Sequence, residues 1–134
     1  MDTPRPVPVI IVDDEPDLAL EIAEGLEAEG FATTIAESAQ DAIRRLLAAP
    51  QGGVVVTDLR MPGMGGLQLI RLLRQPPFTE ALVQIVAMSG HAGPADQQAA
   101  RDAGAGAVLL KPFAWEDLVA ATTRARDALL AGRG

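Results

Sequence analysis

The sequence predicts an α/β fold, five βα units that build a doubly wound parallel sheet of five strands with helices on both faces. Three observations predict it. Short apolar, β-rich runs alternate with stretches of helical periodicity. The central run Val54-Val55-Val56 is apolar without alternation, as in a strand buried on both faces. The charged residues Asp13, Asp14, Asp58 and Lys111 stand where such runs stop, and in open parallel sheets sites form outside the carboxyl ends of the strands.

Val7 to Val12 is the first run, and it stops abruptly at Asp13, Asp14 and Glu15. Pro16 suits a first helical turn, Leu18, Ile22 and Leu26 recur at helical spacing with Glu21, Glu24 and Glu27 facing elsewhere, and Gly30 closes the helix. Ala32 to Ile35 is β-branched but polar on one side, which predicts an edge strand. Ser38 is an N-cap for a helix carrying Ala42, Ile43, Leu46 and Leu47, broken by Pro50 and Gly52-Gly53. The third strand ends at Thr57-Asp58. A loop from Arg60 to Gly66 leads to a short helix, Leu67 to Leu73, which Pro76-Pro77 ends. Val83 to Met88 is the fourth strand, followed by the loop Ser89-Gly90-His91. Pro94 to Ala103 is helical with alanines as its only apolar side chains, so it buries little and should be the least firmly packed element. Ala107 to Leu110 is the fifth strand and ends at Lys111-Pro112. A final helix, Trp115 to Leu130, has Leu118, Val119, Ala125, Leu129 and Leu130 available to the core.

The 134 residues fit one domain, with a core from about 7 to 130 and flexible ends at 1–6 and 131–134. A chain of this length buries a core without disulfide or metal staples. It has no cysteine, which excludes disulfides, thiolate metal sites and a cysteine nucleophile, and is compatible with the reducing cytoplasm expected as its location. No apolar run is long enough to span a bilayer, and Met1 to Pro8 lacks the layout of a signal peptide, so no membrane partner is expected. Eighteen acidic residues against eleven basic ones give a net charge of -7 and no basic stripe, so direct nucleic-acid binding is not expected. Ten of the eleven basic residues are arginine, which leaves Lys111 as a single lysine that needs its own explanation.

If strands one and three are neighbours, Asp13, Asp14 and Asp58 converge, with Ser89 after strand four and Lys111 after strand five. Close carboxylates repel, so such a site either raises a pKa or binds a cation. With oxygen ligands only, the cation is a hard one, Mg²⁺ or Mn²⁺, whose open positions can take phosphate oxygens. Asp58 can then act as nucleophile toward a phosphoryl group, Lys111 pair with a phosphate oxygen, and Ser89 donate a hydrogen bond to another. Phosphoryl transfer mainly needs in-line positioning and charge neutralisation, and this set supplies both. Taken singly, Asp-Asp-Glu-Pro is a polar helix start and Asp58 a turn residue. The joint occurrence of five such residues at successive strand ends reverses that reading.

The chain resembles the receiver domains of two-component response regulators in four stretches. They are Val-Asp-Asp-Glu-Pro (Val12 to Pro16), Thr-Asp-Leu-Arg-Met-Pro-Gly-Met (Thr57 to Met64), Met-Ser-Gly-His (Met88 to His91) and Leu-Lys-Pro-Phe (Leu110 to Phe113). They occur in the family's order and spacing, and the resemblance runs from about Val9 to Leu129. It implies the flavodoxin-like strand order 2-1-3-4-5. It implies that Asp58 is the phosphoacceptor, that Asp14 binds Mg²⁺ directly and Asp13 through water, and that the Arg60 backbone carbonyl completes the metal site. It further implies that Ser89 and Lys111 contact the phosphoryl group, that Ser89 moves on activation, and that the bond to Pro112 is often cis. The implied donor is a sensor histidine kinase or a histidine phosphotransfer protein, and the implied reader a downstream protein or output domain. Phosphorylation-dependent homodimerisation is an open option. The domain would catalyse only its own phosphotransfer and slow autodephosphorylation.

Three positions depart from the family pattern. Val108 stands where an aromatic residue often swings inward on phosphorylation, so the aromatic part of the switch is missing. Gly65 replaces a common aspartate and should loosen the loop without touching chemistry. Arg60 and His91 occupy two variable positions that help set the hydrolysis rate; both are large and could restrict the attacking water, which predicts a long phosphoryl lifetime. His91 is otherwise a solvated loop residue, Trp115 an anchor for the last helix, Phe113 a packing residue, and Met61 and Met64 gap fillers. Two other functions compete. A Mg²⁺-dependent phosphatase with an aspartate nucleophile would usually carry a second acid where Arg60 stands. A degenerate receiver acting only as an interaction surface would not need Asp13, Asp14, Asp58, Ser89 and Lys111 intact.

Overall fold

The computed structural model describes residues 7–61, 63–90 and 93–131; of the expected flexible ends 1–6 and 131–134, Ala131 is the last residue of a helix, and the rest, with His91, lie outside the described residues. Five strands and five helices alternate strictly: β1 Pro8–Val12, α1 Pro16–Ala28, β2 Ala32–Ala36, α2 Ala39–Leu47, β3 Gly53–Asp58, α3 Gly66–Leu72, β4 Val83–Ser89, α4 Pro94–Ala103, β5 Ala107–Leu110 and α5 Trp115–Ala131. All neighbouring strands are parallel, in the order β2-β1-β3-β4-β5. This is the strand order expected, with β2 at an edge.

Side chains on a strand point alternately to opposite faces, and β1 and β3 use that alternation to build two cores. Val9, Ile11, Val54 and Val56 face α1 and α5, where they meet Ile22, Leu26, Leu118 and Leu129. Ile10, Val12 and Val55 face the other helices, where they meet Ala42, Leu46, Leu69, Ile70 and Leu73. Full burial of each such Leu, Ile or Val contributes about 1.5–3 kcal/mol. These two layers hold the sheet's carboxyl edge in place.

The expected helix boundaries have identifiable causes. Ser38 accepts a hydrogen bond from the Asp41 amide at 3.1 Å and caps α2. Gly30, at φ 95°, ends α1 with its amide on Glu27 O, and the Phe31 amide returns to Leu26 O; both bonds are 3.0 Å. Helix α4 buries only Ala100, as its alanine-rich sequence predicts. One expectation is corrected: Leu130 is 43 % exposed, because Leu129 takes the inward position and the next residue turns about 100° away. Leu47 and Leu72 point outward in the same way.

Candidate functional site

The register of the sheet assembles the site. Val12 pairs with Thr57 across β1 and β3, so Asp13 and Asp58 are adjacent at the carboxyl edge. Asp58 pairs with Met88, and Ser89 with Leu110, which brings Ser89 and then Lys111 to the same edge. Asp13, Asp14 and Asp58 each present a carboxylate oxygen, and these oxygens lie within 4.8 Å of one another.

The three carboxylates differ in surroundings. Asp13 is buried, Asp14 exposed, and Asp58 intermediate. Asp13 Oδ1 accepts the Glu15 amide at 2.9 Å. Its Oδ2 is buried and has no hydrogen-bond partner among the described residues. Lys111 Nζ lies 3.9 Å from that oxygen, beyond hydrogen-bonding reach but close enough to act through charge. Burial pushes the Asp13 carboxyl above the ordinary carboxylate pKa, with the charges of Asp58 and Asp14 acting in the same direction; the Glu15 amide and Lys111 oppose the shift without cancelling it.

Asp58 is held from two sides. Its Oδ1 accepts the Arg60 amide at 3.0 Å and its Oδ2 accepts Lys111 Nζ at 2.8 Å. Burial works against the Lys111 charge, but the hydrogen bond to Asp58 and the charges of Asp58, Asp13 and Glu15 outweigh it, so the ammonium is held above the ordinary lysine pKa. The Lys111–Pro112 peptide is cis. Ser89 is 1 % exposed and shares a cleft of about 130 Å³ with Leu59, Arg60, Leu67 and Asp96. Val108 lies partly buried against the apolar cluster that includes Ala87, Ala100 and Ala105.

The carboxylate set fits a hard divalent cation. A buried carboxylate oxygen without a donor, beside two further carboxylates, is an arrangement that a cation with oxygen ligands relieves.

Sequence reasoning did not single out Gly66. A Cβ at this position would lie 2.1 Å from Asp58 O and 2.7 Å from Leu59 Cα. The glycine lets the start of α3 press against the strand end that carries Asp58, and its amide donates to Leu59 O at 3.1 Å. The glycine-rich loop was visible in the sequence, but not which glycine the close approach requires.

Comparison with known proteins agrees with this fold. The family described as the response regulator receiver domain matches residues 9–123. The chain is 38% identical over 122 residues to the C4-dicarboxylate transport transcriptional regulatory protein DctD of Rhizobium meliloti, covering 89% of this chain and 25% of that protein. It is 34% identical over 123 residues to the DNA-binding response regulator MtrA of Mycolicibacterium smegmatis, covering 90% of this chain and 50% of that protein. The chain thus spans a quarter to a half of the length of these two relatives. Among solved structures, FixJ-N superposes with a TM-score of 0.82 at 32% identity, covering 92% of this chain and 95% of that one. A response regulator receiver protein from Pseudomonas putida gives a TM-score of 0.82 at 27% identity, covering 91% of this chain and 99% of that one. With its strand order, its strand-end acidic cluster and a match over most of its length, the chain belongs to the response regulator receiver domain family of two-component systems.

Proposed function

We propose that Asp58 accepts a phosphoryl group from a phosphohistidine in a Mg²⁺-dependent reaction, and that the resulting aspartyl phosphate switches the conformation read by an output partner. The observation that carries this reading is the Lys111 Nζ contact with Asp58 Oδ2 at 2.8 Å, beside the buried Oδ2 of Asp13, which has no hydrogen-bond partner among the described residues. A lysine held over a carboxylate leaves that oxygen pair oriented, and its charge is in place for the dianion that follows.

In the proposed reaction an Asp58 carboxylate oxygen attacks phosphorus, and the P–N bond to the donor imidazole breaks with its electron pair left on the ring nitrogen. Asp13, Asp14 and Asp58, with the Arg60 backbone carbonyl, would hold Mg²⁺ or Mn²⁺. When bound, the ion supplies charge neutralisation at the phosphoryl oxygens. Lys111 pairs with one phosphoryl oxygen and Ser89 donates to another. Arg60, and by its place in the sequence His91, slow hydrolysis of the phosphoryl group. The donor is a sensor histidine kinase or a histidine phosphotransfer protein, and the reader is a downstream protein or an attached output domain. No helix among the described residues is long and apolar enough to cross a membrane.

The phosphatase alternative has a basic residue, Arg60, where a second acid would serve it, and Arg60 contributes its amide to Asp58. Labelling with a small phosphodonor and Mg²⁺ tests the reading. Stoichiometric label on the wild type, lost in Asp58→Ala, is expected; an Asp58→Ala variant that labels equally well would overturn it.

A further inference from the structure

We propose that Arg74 pins the C-terminal end of α4 as a fixed pivot, so that the response to phosphorylation moves only the end of α4 beside Ser89. The proposal rests on the phosphoacceptor reading and adds how that site is connected to the surface.

Arg74 lies just past α3, and its guanidinium ties together two elements that are distant in sequence. Nη1 donates to Val83 O, the first residue of β4, at 2.7 Å. Nη2 and Nε both donate to Gly104 O, at 2.8 Å and 3.2 Å. Gly104 is the residue that caps α4, at φ 122°. A Cβ there would lie 2.5 Å from Arg74 Nε and 2.8 Å from its Cγ, so the arginine stem is packed flat on the glycine. The Ala105 amide returns to Ala100 O at 3.0 Å, and the Gly106 amide continues onto Ile85 O of β4 at 2.9 Å. Only a forked, permanently charged side chain bridges two carbonyls in this way. Burial pulls the guanidinium pKa down, with the charge of Glu80 opposing, but an arginine remains protonated. Charge-assisted hydrogen bonds of this kind are about twice as strong as neutral ones.

The other end of α4 has no side-chain cap among the described residues, and its first three residues are exposed. Its N-cap, Gly93, has no side chain to cap the helix, and Pro94 starts the first turn. The helix buries only Ala100, which lies in its second half. Asp96, in the first turn, shares the cleft that contains Ser89 and Arg60. With Val108 in place of an aromatic side chain, movement of Ser89 has this exposed first turn as its neighbour. A helix firm at one end and exposed at the other converts a local pull into a rotation about the firm end.

Amide-resolved hydrogen exchange on the full chain tests this, with Mg²⁺ and beryllofluoride as the probe and bound fluoride counted separately by fluorine NMR. In the wild type, exchange of the Gln97 to Ala99 amides is expected to change by about tenfold or more on binding, and that of Gly104 and Ala105 to stay within about twofold. In Arg74→Lys, which keeps the charge but reaches only one carbonyl, Gly104 and Ala105 should exchange about ten- to a hundredfold faster without ligand, the scale of one lost charge-assisted bond. They should also now respond to beryllofluoride. A purely structural arginine would raise exchange equally in both states and leave the ligand-induced pattern unchanged, which would overturn the pivot. A wild type that responds equally at both ends of α4 also overturns it, and that arm needs no variant. Absence of bound fluoride overturns the phosphoacceptor reading on which the proposal stands, and is told apart from failure of the pivot by the fluorine signal.

Discussion

Lys111 Nζ, just past the end of β5, donates to Asp58 Oδ2 at the end of β3 across 2.8 Å, passing over the end of the intervening β4. The contact joins residues 53 positions apart and places the chain's single lysine on the proposed nucleophile. Lys111→Met removes one charge-assisted hydrogen bond of about 1.5–3 kcal/mol. The rate of labelling by a small phosphodonor should fall roughly ten- to a hundredfold. An unchanged rate would show that Lys111 only holds the resting site together.

Asp13 is expected to limit the stability of the metal-free protein. Its folded-state pKa lies above the ordinary value of 3.8, so the folded chain holds this proton more tightly than the unfolded chain. The carboxyl therefore favours the fold at low pH. Stability is lost as pH rises from about 3.8 through the raised folded value. Asp13→Asn should stabilise the metal-free protein at neutral pH by about 1–3 kcal/mol, the scale of an unsatisfied buried polar group. Mg²⁺ should raise the Tm of the wild type at neutral pH, less so as Asp13 protonates, and hardly at all in the variant. Denaturation series at two pH values, with and without Mg²⁺, check all three outcomes.

Neighbouring glycines should respond oppositely to substitution. At Gly66 an added Cβ meets backbone at 2.1 Å, which cannot rotate away, so Gly66→Ala should cost about 3 kcal/mol and impair labelling at Asp58. At Gly65 the nearest atom to an added Cβ is 3.5 Å away, and the residue is the N-cap of α3. Gly65→Asp should change stability by only a few tenths of a kcal/mol, in the stabilising direction. Urea midpoints of the two variants distinguish these cases.

Trp115 reports on the junction between α1 and the segment carrying Lys111. A Cβ on Gly25, in the last turn of α1, would lie 2.5 Å from two ring atoms of Trp115. Glycine to alanine inside a helix is worth about 1 kcal/mol in favour of alanine. Displacing the indole costs about 1–3 kcal/mol. A net loss of about 1 kcal/mol is expected for Gly25→Ala, with a red-shifted tryptophan emission as the ring moves toward solvent. A more stable variant with unshifted emission would show that α1 itself gives way.

The order of strands and helices was legible in the sequence, and so were the residues at the strand ends. Strand runs, helical spacing and caps such as Ser38 and Gly30 act over a few residues, and a linear pattern records them. Asp13, Asp58, Ser89 and Lys111 were readable for the same reason, because each marks the point where an apolar run stops. The outward turn of Leu130 was less legible, since a weakly amphipathic helix leaves its rotation to the packing of α5 on the sheet.

Tertiary structure alone decided how these residues meet. Nothing local pairs Lys111 with Asp58, seats Trp115 on Gly25, requires Gly66 against the Asp58 carbonyl, or sets Arg74 on a carbonyl 30 residues away. These contacts depend on register between strands and on distances of closest approach between elements. Both are settled only when the two faces of the sheet are buried together, because one packing of the whole fills the core while satisfying the buried polar groups. By itself, the amino-acid sequence determined which groups were available at the carboxyl edge. The packed sheet decided which of them touch, and left Asp13 Oδ2 buried without a hydrogen-bond donor among the described residues.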